Sequence, residues 1–119
     1  MKPKVRLKRI YDKPNPDDGF RVFVDRLWAR GVTKEAARIG AWAKELTPSD
    51  ELRKWFHEDT SRHAKFEERY LMELEERQGE TEALINSLRT HATKTLVTAT
   101  KDLVNGHSVI LLRYLSKRL

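Results

Sequence analysis

The run 94–100, near the end of the chain, constrains the fold most, because it has high β propensity and few charges. A strand of that composition is typically covered on both faces of a sheet. A second apolar run, 20–25, is rich in β-branched and aromatic residues and predicts a central strand that ends near Asp25. Helical patterns lie between and after these runs. The sequence therefore predicts an α/β domain with a small, largely parallel sheet.

Shorter patterns complete this prediction. Residues 4–10 alternate apolar and basic side chains, which predicts an edge or half-exposed strand. Residues 41–46 also alternate and favour a short strand, although a helix fits them as well. Apolar residues at helical spacing predict flanking helices near 33–38, 49–58, 61–78, 81–92 and 107–118.

Capping residues set the predicted ends of these helices. Thr33 and Ser49 stand before acidic first turns, so each is expected to cap a helix. Gly79 is expected to end one long helix before the next begins at Thr81. The proline-rich run 12–19 is predicted to be a loop.

Length and composition exclude several classes of protein. A chain of 119 residues is expected to form one domain, 1–119. Lysine and arginine total 24 against 18 acidic residues, and the net charge of +6 favours anionic partners. The absence of cysteine excludes disulfides and thiol chemistry. No apolar run approaches the ~20 residues of a membrane span, so we expect a cytoplasmic protein with no membrane partner.

The stretch 24–32 places an acid and two arginines at the end of a predicted strand. Ligands of parallel α/β sheets bind beyond the carboxyl ends of the strands. Arg26 and Arg30, beside an ionised Asp25, would hold a planar or tetrahedral anion through paired hydrogen bonds. In an equally good alternative, Asp25 pairs with one arginine to fix the following turn. Trp28 would stack on a ring of the ligand or, more commonly, cover the edge of the core.

A second group of candidates lies on the helix that follows Ser49. Arg53 and His57 are four residues apart and share one face, and with Lys44 they would extend a basic pocket. Histidine moves protons near neutral pH, so His57 is a candidate for acid–base chemistry. The alternative is a surface histidine satisfied by a neighbouring acid. Ser49 lacks the Gly-x-Ser-x-Gly context of a nucleophile and is interpreted mainly as a cap.

The late loop supplies the last candidates. His107 follows Asn105 and Gly106 at a predicted helix start, where backbone N–H groups bind oxyanions. His107 or Asp102 would then move a proton, whereas a plain capping turn is an equally good alternative. The candidate catalytic residues are Asp25, His57 and His107.

Known metal and nucleotide motifs are missing from the sequence. The four histidines lack the His-Glu-x-x-His spacing, and no glycine-rich phosphate loop of known type is present. We therefore expect no metal and no cofactor.

Two motifs at a fixed separation point to a family. An Asp-Arg-Leu-Trp block at 25–28 is followed by Pro-Ser-x-Glu-Leu-Arg-Lys at 48–54. With these motifs the chain resembles the YeaO-like family of small bacterial proteins, in domain-of-unknown-function group 488, over nearly its whole length. The resemblance implies no particular activity. Further residues that carry it are 30–31, Trp42, 44–46, 56–57, Phe66, Tyr70, 73–74 and His107.

Three positions depart from the family pattern within the predicted site. Ala29 stands where that pattern has proline, Thr98 where it has an aromatic residue, and Gly106 where it has asparagine. Ala29 is expected to loosen the turn, and Thr98 is expected to open space. The resemblance alone therefore does not transfer a family activity to this chain.

Three functions fit the sequence. The first is a protein that binds a small anionic or phosphate-bearing ligand in a basic pocket, with or without catalysis. The second is a nucleic-acid-binding or regulatory module, which the net charge favours. The third is a structural or interaction protein without a ligand. Nucleic acid is the less favoured partner, because the basic residues do not follow one helix face.

Overall fold

The sheet runs through the centre of the molecule, and its strands are parallel. The computed structural model describes residues 4–103 and 106–119. The strands in these ranges are β1 Lys4–Arg9, β2 Phe20–Phe23, β3 Ala41–Trp42 and β4 Thr93–Thr98. They lie in the order β1-β4-β2-β3, and each neighbouring pair is parallel. The predicted α/β fold with a small parallel sheet is confirmed.

The place of each strand in the sheet explains its composition. β4 lies between β1 and β2, and its residues from Lys94 to Thr98 are buried. The high β propensity and low charge of residues 94–100 predicted such a strand, covered on both faces of the sheet. β1 lies at one edge, as its alternating pattern indicated.

Helices connect the strands. Those in the described ranges are α1 Lys34–Ala37, α2 Asp50–Glu58, α3 His63–Glu76, α4 Gln78–Arg89 and α5 His107–Arg118. Short 3-10 helices also occur at Pro16–Asp18, Lys44–Leu46 and Thr60–Arg62. Thr33 and Ser49 accept hydrogen bonds from the Ala36 and Leu52 N–H groups, which confirms both predicted caps. No helix in the described part of the chain combines the length and apolar composition that a membrane crossing requires.

Alternation along the strands divides the core between the two faces of the sheet. Val22 and Leu96 belong to the larger cluster, whereas their neighbours Phe23 and Val97 belong to the smaller one. Helices α2 to α5 complete the larger cluster with Leu52, Phe66, Tyr70, Leu74, Ile85, Leu88, Ile110, Leu111, Tyr114 and Leu115. The smaller cluster also contains Ile10, Ala29 and Ala37, with Trp28 and Trp42 packed against it.

The strand predicted at 41–46 is shorter than expected, because the chain turns after Ala43. The Ala43 N–H donates to the Phe23 carbonyl over 2.8 Å, and the Leu46 N–H donates back to the Ala43 carbonyl over 3.1 Å. The resulting 3-10 turn buries Leu46, whose carbonyl accepts a hydrogen bond from the Tyr70 hydroxyl. Burial of an apolar side chain thus ends the strand pattern early.

The prediction that Gly79 ends a helix is wrong, because the junction lies at Arg77. The Arg77 N–H donates to the Glu73 carbonyl at the end of α3, and the Arg77 carbonyl accepts from the Glu80 N–H in α4. Gly79 lies inside α4, where a glycine costs about 1 kcal/mol relative to alanine but does not have to break the helix. As a result, α4 begins and ends earlier than the predicted helix 81–92.

Lys94 is a buried amine on β4. Its Nζ atom has no hydrogen-bond partner among the residues that the structure describes, and burial lowers the pKa of Lys94 from 10.5. A buried polar group left unpaired costs about 1–3 kcal/mol. We therefore expect Lys94→Met to raise the free energy of unfolding by about 1–3 kcal/mol, as measured by urea denaturation at pH 7.

The pH dependence of stability separates this explanation from a packing effect. Because the pKa of Lys94 is lower in the folded state, the unfolded chain binds more protons in the alkaline range below 10.5. The contribution of Lys94 to stability therefore improves as the pH rises toward 10.5. Lys94→Met should lose this improvement, and the exposed control Lys54→Met should keep it. A Lys94→Met protein less stable than the wild type would contradict the prediction.

Candidate functional site

Asp25 joins the carboxyl ends of β2 and β4. Its carboxylate is largely buried and accepts hydrogen bonds from the Thr98 hydroxyl (2.5 Å) and the Ala99 N–H (2.8 Å). Burial acts to raise the pKa of Asp25, but hydrogen bonds from His107, Thr98 and Ala99 outweigh it and hold that pKa below 3.8. Asp25 is therefore an ionised carboxylate at the edge where parallel sheets bind ligands.

His107, the first residue of α5, is held against the same edge. Its Nε2 atom lies 2.8 Å from the Val24 carbonyl oxygen and 3.3 Å from Oδ1 of Asp25. A carbonyl only accepts, so Nε2 carries the proton, and Nδ1 is the basic nitrogen of the neutral ring. The structure thus places two of the three candidate catalytic residues, Asp25 and His107, in direct contact.

A pocket of about 210 Å³ opens beside this pair, and we call it the Asp25 pocket. Arg53 and His57, which share one face of α2, line this pocket together with the start of α5. Phe56 and Phe66 stack with ring centroids 4.3 Å apart and form an apolar part of the wall. The residues that line the pocket are Asp25, Leu27, Pro48, Arg53, Phe56, His57, Phe66, Thr100, Gly106 and His107.

Arg53 supplies the fixed positive charge of the Asp25 pocket. Its Nη1 atom lies 3.1 Å from Oδ1 of Asp50, and Nε of Arg26 lies at the same distance from that oxygen. One carboxylate is thus shared by two guanidinium groups. Because Arg26 and Arg53 carry two positive charges and Asp50 carries one negative charge, these three side chains keep a net positive charge. This charge favours an anion in the pocket.

Arg26 and Lys44 do not line the Asp25 pocket. They line a separate open groove with Arg77, in which acidic residues equal the cations in number. Lys44 also places its Nζ atom 4.0 Å from the ring centroid of Trp42, a cation–π contact. The acidic residues of the groove are Glu45, Asp50 and Glu80.

Trp28 and Arg30 also lie outside the residues that line the Asp25 pocket. The Trp28 indole donates to the Val32 carbonyl over 2.6 Å, and its ring packs against Phe23 and Trp42. Trp28 therefore covers the smaller core cluster. Arg30 is exposed, and its carbonyl accepts a hydrogen bond from a tyrosine hydroxyl.

Ser49 acts as a cap rather than as part of the Asp25 pocket. Its hydroxyl accepts from the Leu52 N–H (3.2 Å) and donates to a carboxylate oxygen of Glu73 (2.5 Å). The Ser49 N–H also donates to Glu73, over 2.9 Å. These bonds fasten the start of α2 to α3 and so position the helix face that carries Arg53.

His57 is exposed at the mouth of the Asp25 pocket. Its sequence neighbours Glu58 and Asp59, the expected partners of a surface histidine, contact Arg62 and Ser61. His57 lines the Asp25 pocket with Arg53, and its role in acid–base chemistry stays a prediction.

The three departures from the family pattern have distinct environments. Ala29 is buried in the smaller core cluster. Thr98 leaves no open space, because it is fully buried and its hydroxyl donates to Asp25. A Cβ atom at Gly106 would lie 2.9 Å from the Asp102 carbonyl oxygen, so an asparagine there requires the loop to move.

The start of α5 adds electrostatic attraction to the Asp25 pocket. Gly106 is the N-cap and has no side chain to accept from the first-turn N–H groups. Both Gly106 and His107 line the pocket, at the end of the helix that favours anions. Asn105, which was expected to take part in this helix start, lies outside the described residues.

Sequence reasoning missed the apolar lining and one hydroxyl. Thr100 lies two residues after the end of β4, so the rule that ligands bind at carboxyl ends was the signal for it. Leu27 is 69% exposed and lines the pocket, whereas its sequence neighbours Arg26 and Trp28 do not. Nothing in the sequence indicated which of the three side chains would face the pocket.

The described residues contain no group of three or more histidine or acidic side chains that is arranged to hold a metal ion.

These features define a small α/β protein whose pocket, at the carboxyl ends of parallel strands, is lined by charged and apolar side chains. A family model described as "Inactive DUF488-N3 subclade" matches residues 4–119. The chain therefore belongs to the DUF488-N3 family, and the resemblance seen in the sequence is confirmed.

Relatives of similar length support this assignment. The chain is 38% identical over 115 residues to uncharacterised proteins of Mycobacterium tuberculosis and Mycobacterium bovis, which covers 97% of this chain and 96% of each relative. It is 38% identical over 111 residues to the uncharacterised protein YeaO of Escherichia coli, which covers 93% of this chain and 96% of YeaO. No solved structure matches the chain.

Proposed function

We propose that this protein binds a small ligand with an oxyanion group in the Asp25 pocket, and that it acts by binding rather than by turnover. One observation carries the proposal: Arg53 and His57 meet the start of α5 around a single cavity. A guanidinium group and a helix N-terminus both attract oxyanions.

The wall of the Asp25 pocket favours one orientation of the ligand. The carboxylate of Asp25 repels an anionic group, whereas Arg53 attracts it. The apolar part of the ligand would then lie on the stacked rings of Phe56 and Phe66. A short carboxylate or a small phosphate monoester fits a pocket of 210 Å³, which is below the roughly 300–1,000 Å³ of drug-sized sites. Such anions are common metabolites, in keeping with the cytoplasmic location that we propose.

The hydrogen bonds of Asp25 and His107 favour binding without turnover. Both carboxylate oxygens of Asp25 accept from β4 and the residue after it, and His107 Nε2 donates to Val24. A proton relay through this pair would break bonds that join β2, β4 and α5. The description of the subclade as inactive agrees with this proposal.

We expect Arg53→Gln to weaken anion binding at the Asp25 pocket by about 10- to 100-fold, because a hydrogen bond to a charged group contributes about 1.5–3 kcal/mol. Isothermal titration calorimetry with inorganic phosphate, acetate and small phosphate monoesters measures the change. Arg30→Ala is the matched control: it removes the same charge from an exposed site outside the pocket and should bind as the wild type does.

Two outcomes would overturn the proposed function. Equal anion affinity in the wild type and Arg53→Gln would show that the ligand does not bind in the Asp25 pocket. Equal losses in Arg53→Gln and Arg30→Ala, with a steep dependence on salt, would instead indicate a diffuse polyanion surface such as a nucleic-acid interface.

A further inference from the structure

A second pocket, of about 170 Å³, lies near the amino end of β2, whereas the Asp25 pocket lies near its carboxyl end. Gly19, in its wall, stands directly before β2, whereas Asp25 follows that strand. We call it the Arg21 pocket. The residues that line it are Pro14, Asn15, Pro16, Gly19, Arg21 and Arg38.

Arg21 is a buried guanidinium with a donor left over. Its side chain is 3% exposed, Nη1 donates to Oδ2 of Asp18 over 2.6 Å, and Nε donates to the Ala37 carbonyl over 2.8 Å. Its Nη2 atom is buried without a hydrogen-bond partner within residues 4–103 and 106–119. A guanidinium binds oxyanions with two parallel N–H groups, so the unused nitrogen is the part that an anion would satisfy.

The charges around Arg21 do not cancel. The carboxylate of Asp18 is shared, since Lys8 Nζ lies 3.1 Å from both of its oxygens while Arg21 bonds one of them. Two cations therefore face one anion in this cluster. Exposed Arg38 adds a third positive charge at the pocket wall.

The backbone of Arg38 supports a role for its side chain. Arg38 ends α1 with φ 52° and ψ 47°, and it is the one non-glycine residue with a positive φ in the described part of the chain. Glycine is the usual residue in this left-handed conformation, because a Cβ atom is strained there. The chain thus carries an arginine at a position that folding alone would assign to glycine.

We propose that the Arg21 pocket is a second anion site, which takes one small oxyanion between Arg21 Nη2 and the Arg38 guanidinium. Its volume and its two guanidinium groups suit a single phosphate or carboxylate group. The site is independent of the proposed function, because it shares no lining residue with the Asp25 pocket.

Arg38→Gly tests this site without threatening the fold, because glycine adopts the left-handed conformation freely. The experiment uses inorganic phosphate as the probe and the full chain carrying Arg53→Gln, which disables the Asp25 pocket. We expect calorimetry to show phosphate binding that remains in Arg53→Gln and weakens at least tenfold when Arg38→Gly is added. Arg30→Ala, added instead, is the charge-matched control and should leave that binding unchanged.

The outcomes separate the two sites. Loss of all phosphate binding in Arg53→Gln alone would overturn the second site and leave the proposed function intact. Full binding in the Arg53→Gln, Arg38→Gly double variant would also overturn it. Thermal unfolding of Arg38→Gly at or above the wild-type temperature, with binding lost, confirms that the guanidinium binds phosphate and that folding is unharmed.

Discussion

Replacing Asp18 by alanine should lower the free energy of unfolding by about 3–5 kcal/mol, the usual cost of breaking a buried ion pair. The side chains of Asp18 and Arg21 are each 3% exposed, so Arg21 would be left as an uncompensated buried charge. The change would also remove the acceptor of the Asn15 N–H, which begins the 3-10 turn before β2. Urea denaturation at pH 7 measures the loss.

The pH dependence of Asp18 provides a second readout. Burial opposes ionisation, but hydrogen bonds from Asn15, Lys8 and Arg21 hold the pKa of Asp18 below 3.8. The stabilisation is therefore complete above that value and is lost as the pH falls below it. The exposed neighbour Asp17 is the control, and Asp17→Ala should change stability by no more than about 0.5 kcal/mol. Equal effects at the two positions would refute the buried pair.

We expect Asp25→Asn to cost about 3 kcal/mol of stability, because the bonds from Thr98, Ala99 and His107 all require acceptors. An amide nitrogen replaces one acceptor by a donor, so part of this network cannot form. Since the pKa of Asp25 is also held below 3.8, its contribution is present above that pH and lost in acid. Urea titrations at neutral and acid pH measure both effects.

A matched control isolates the network of Asp25. Asp12→Asn makes the same chemical change at an exposed position and should be nearly neutral. If Asp25→Asn were as stable as Asp12→Asn at neutral pH, the carboxylate would not join the ends of β2 and β4 in the way that the contacts indicate.

Local sequence patterns predicted the sheet because they reflect burial directly. A run such as 94–100, whose one charged residue is Lys94 at its start, is stable only where both faces are covered, which places it in the middle of the sheet. The same holds for Ser49, whose cap depends on the next three residues alone. Predictions of this kind need no knowledge of distant contacts.

Distant contacts decide the features that the sequence did not predict. The chain leaves β3 because Leu46 is drawn into the core beneath Tyr70, and α3 and α4 join at Arg77 because its guanidinium donates to the Thr47 carbonyl. Neither contact lies within one stretch of sequence. The alternation of residues 41–46 therefore did not predict the length of β3.

The same limit applies to the Asp25 pocket. The rule for carboxyl ends pointed to the end of the sheet where the Asp25 pocket opens, but neighbouring side chains after β2 separate into different surfaces. Asp25 turns toward Thr98, Arg26 binds Asp50 beside a groove, and Trp28 covers the smaller core cluster. Which of them line one pocket depends on the path of the loop, which packing determines.

The most direct test of the Asp25 pocket is a titration of the isotopically labelled protein with inorganic phosphate, followed by amide and arginine side-chain chemical shifts. Binding at this pocket predicts saturable shifts of the Gly106 and His107 amides and of the Arg53 side chain, with one dissociation constant. In Arg53→Gln, the shifts of the two amides should need at least tenfold more phosphate to reach saturation. Unchanged signals from all three groups at saturating phosphate would contradict binding at the carboxyl edge of the sheet.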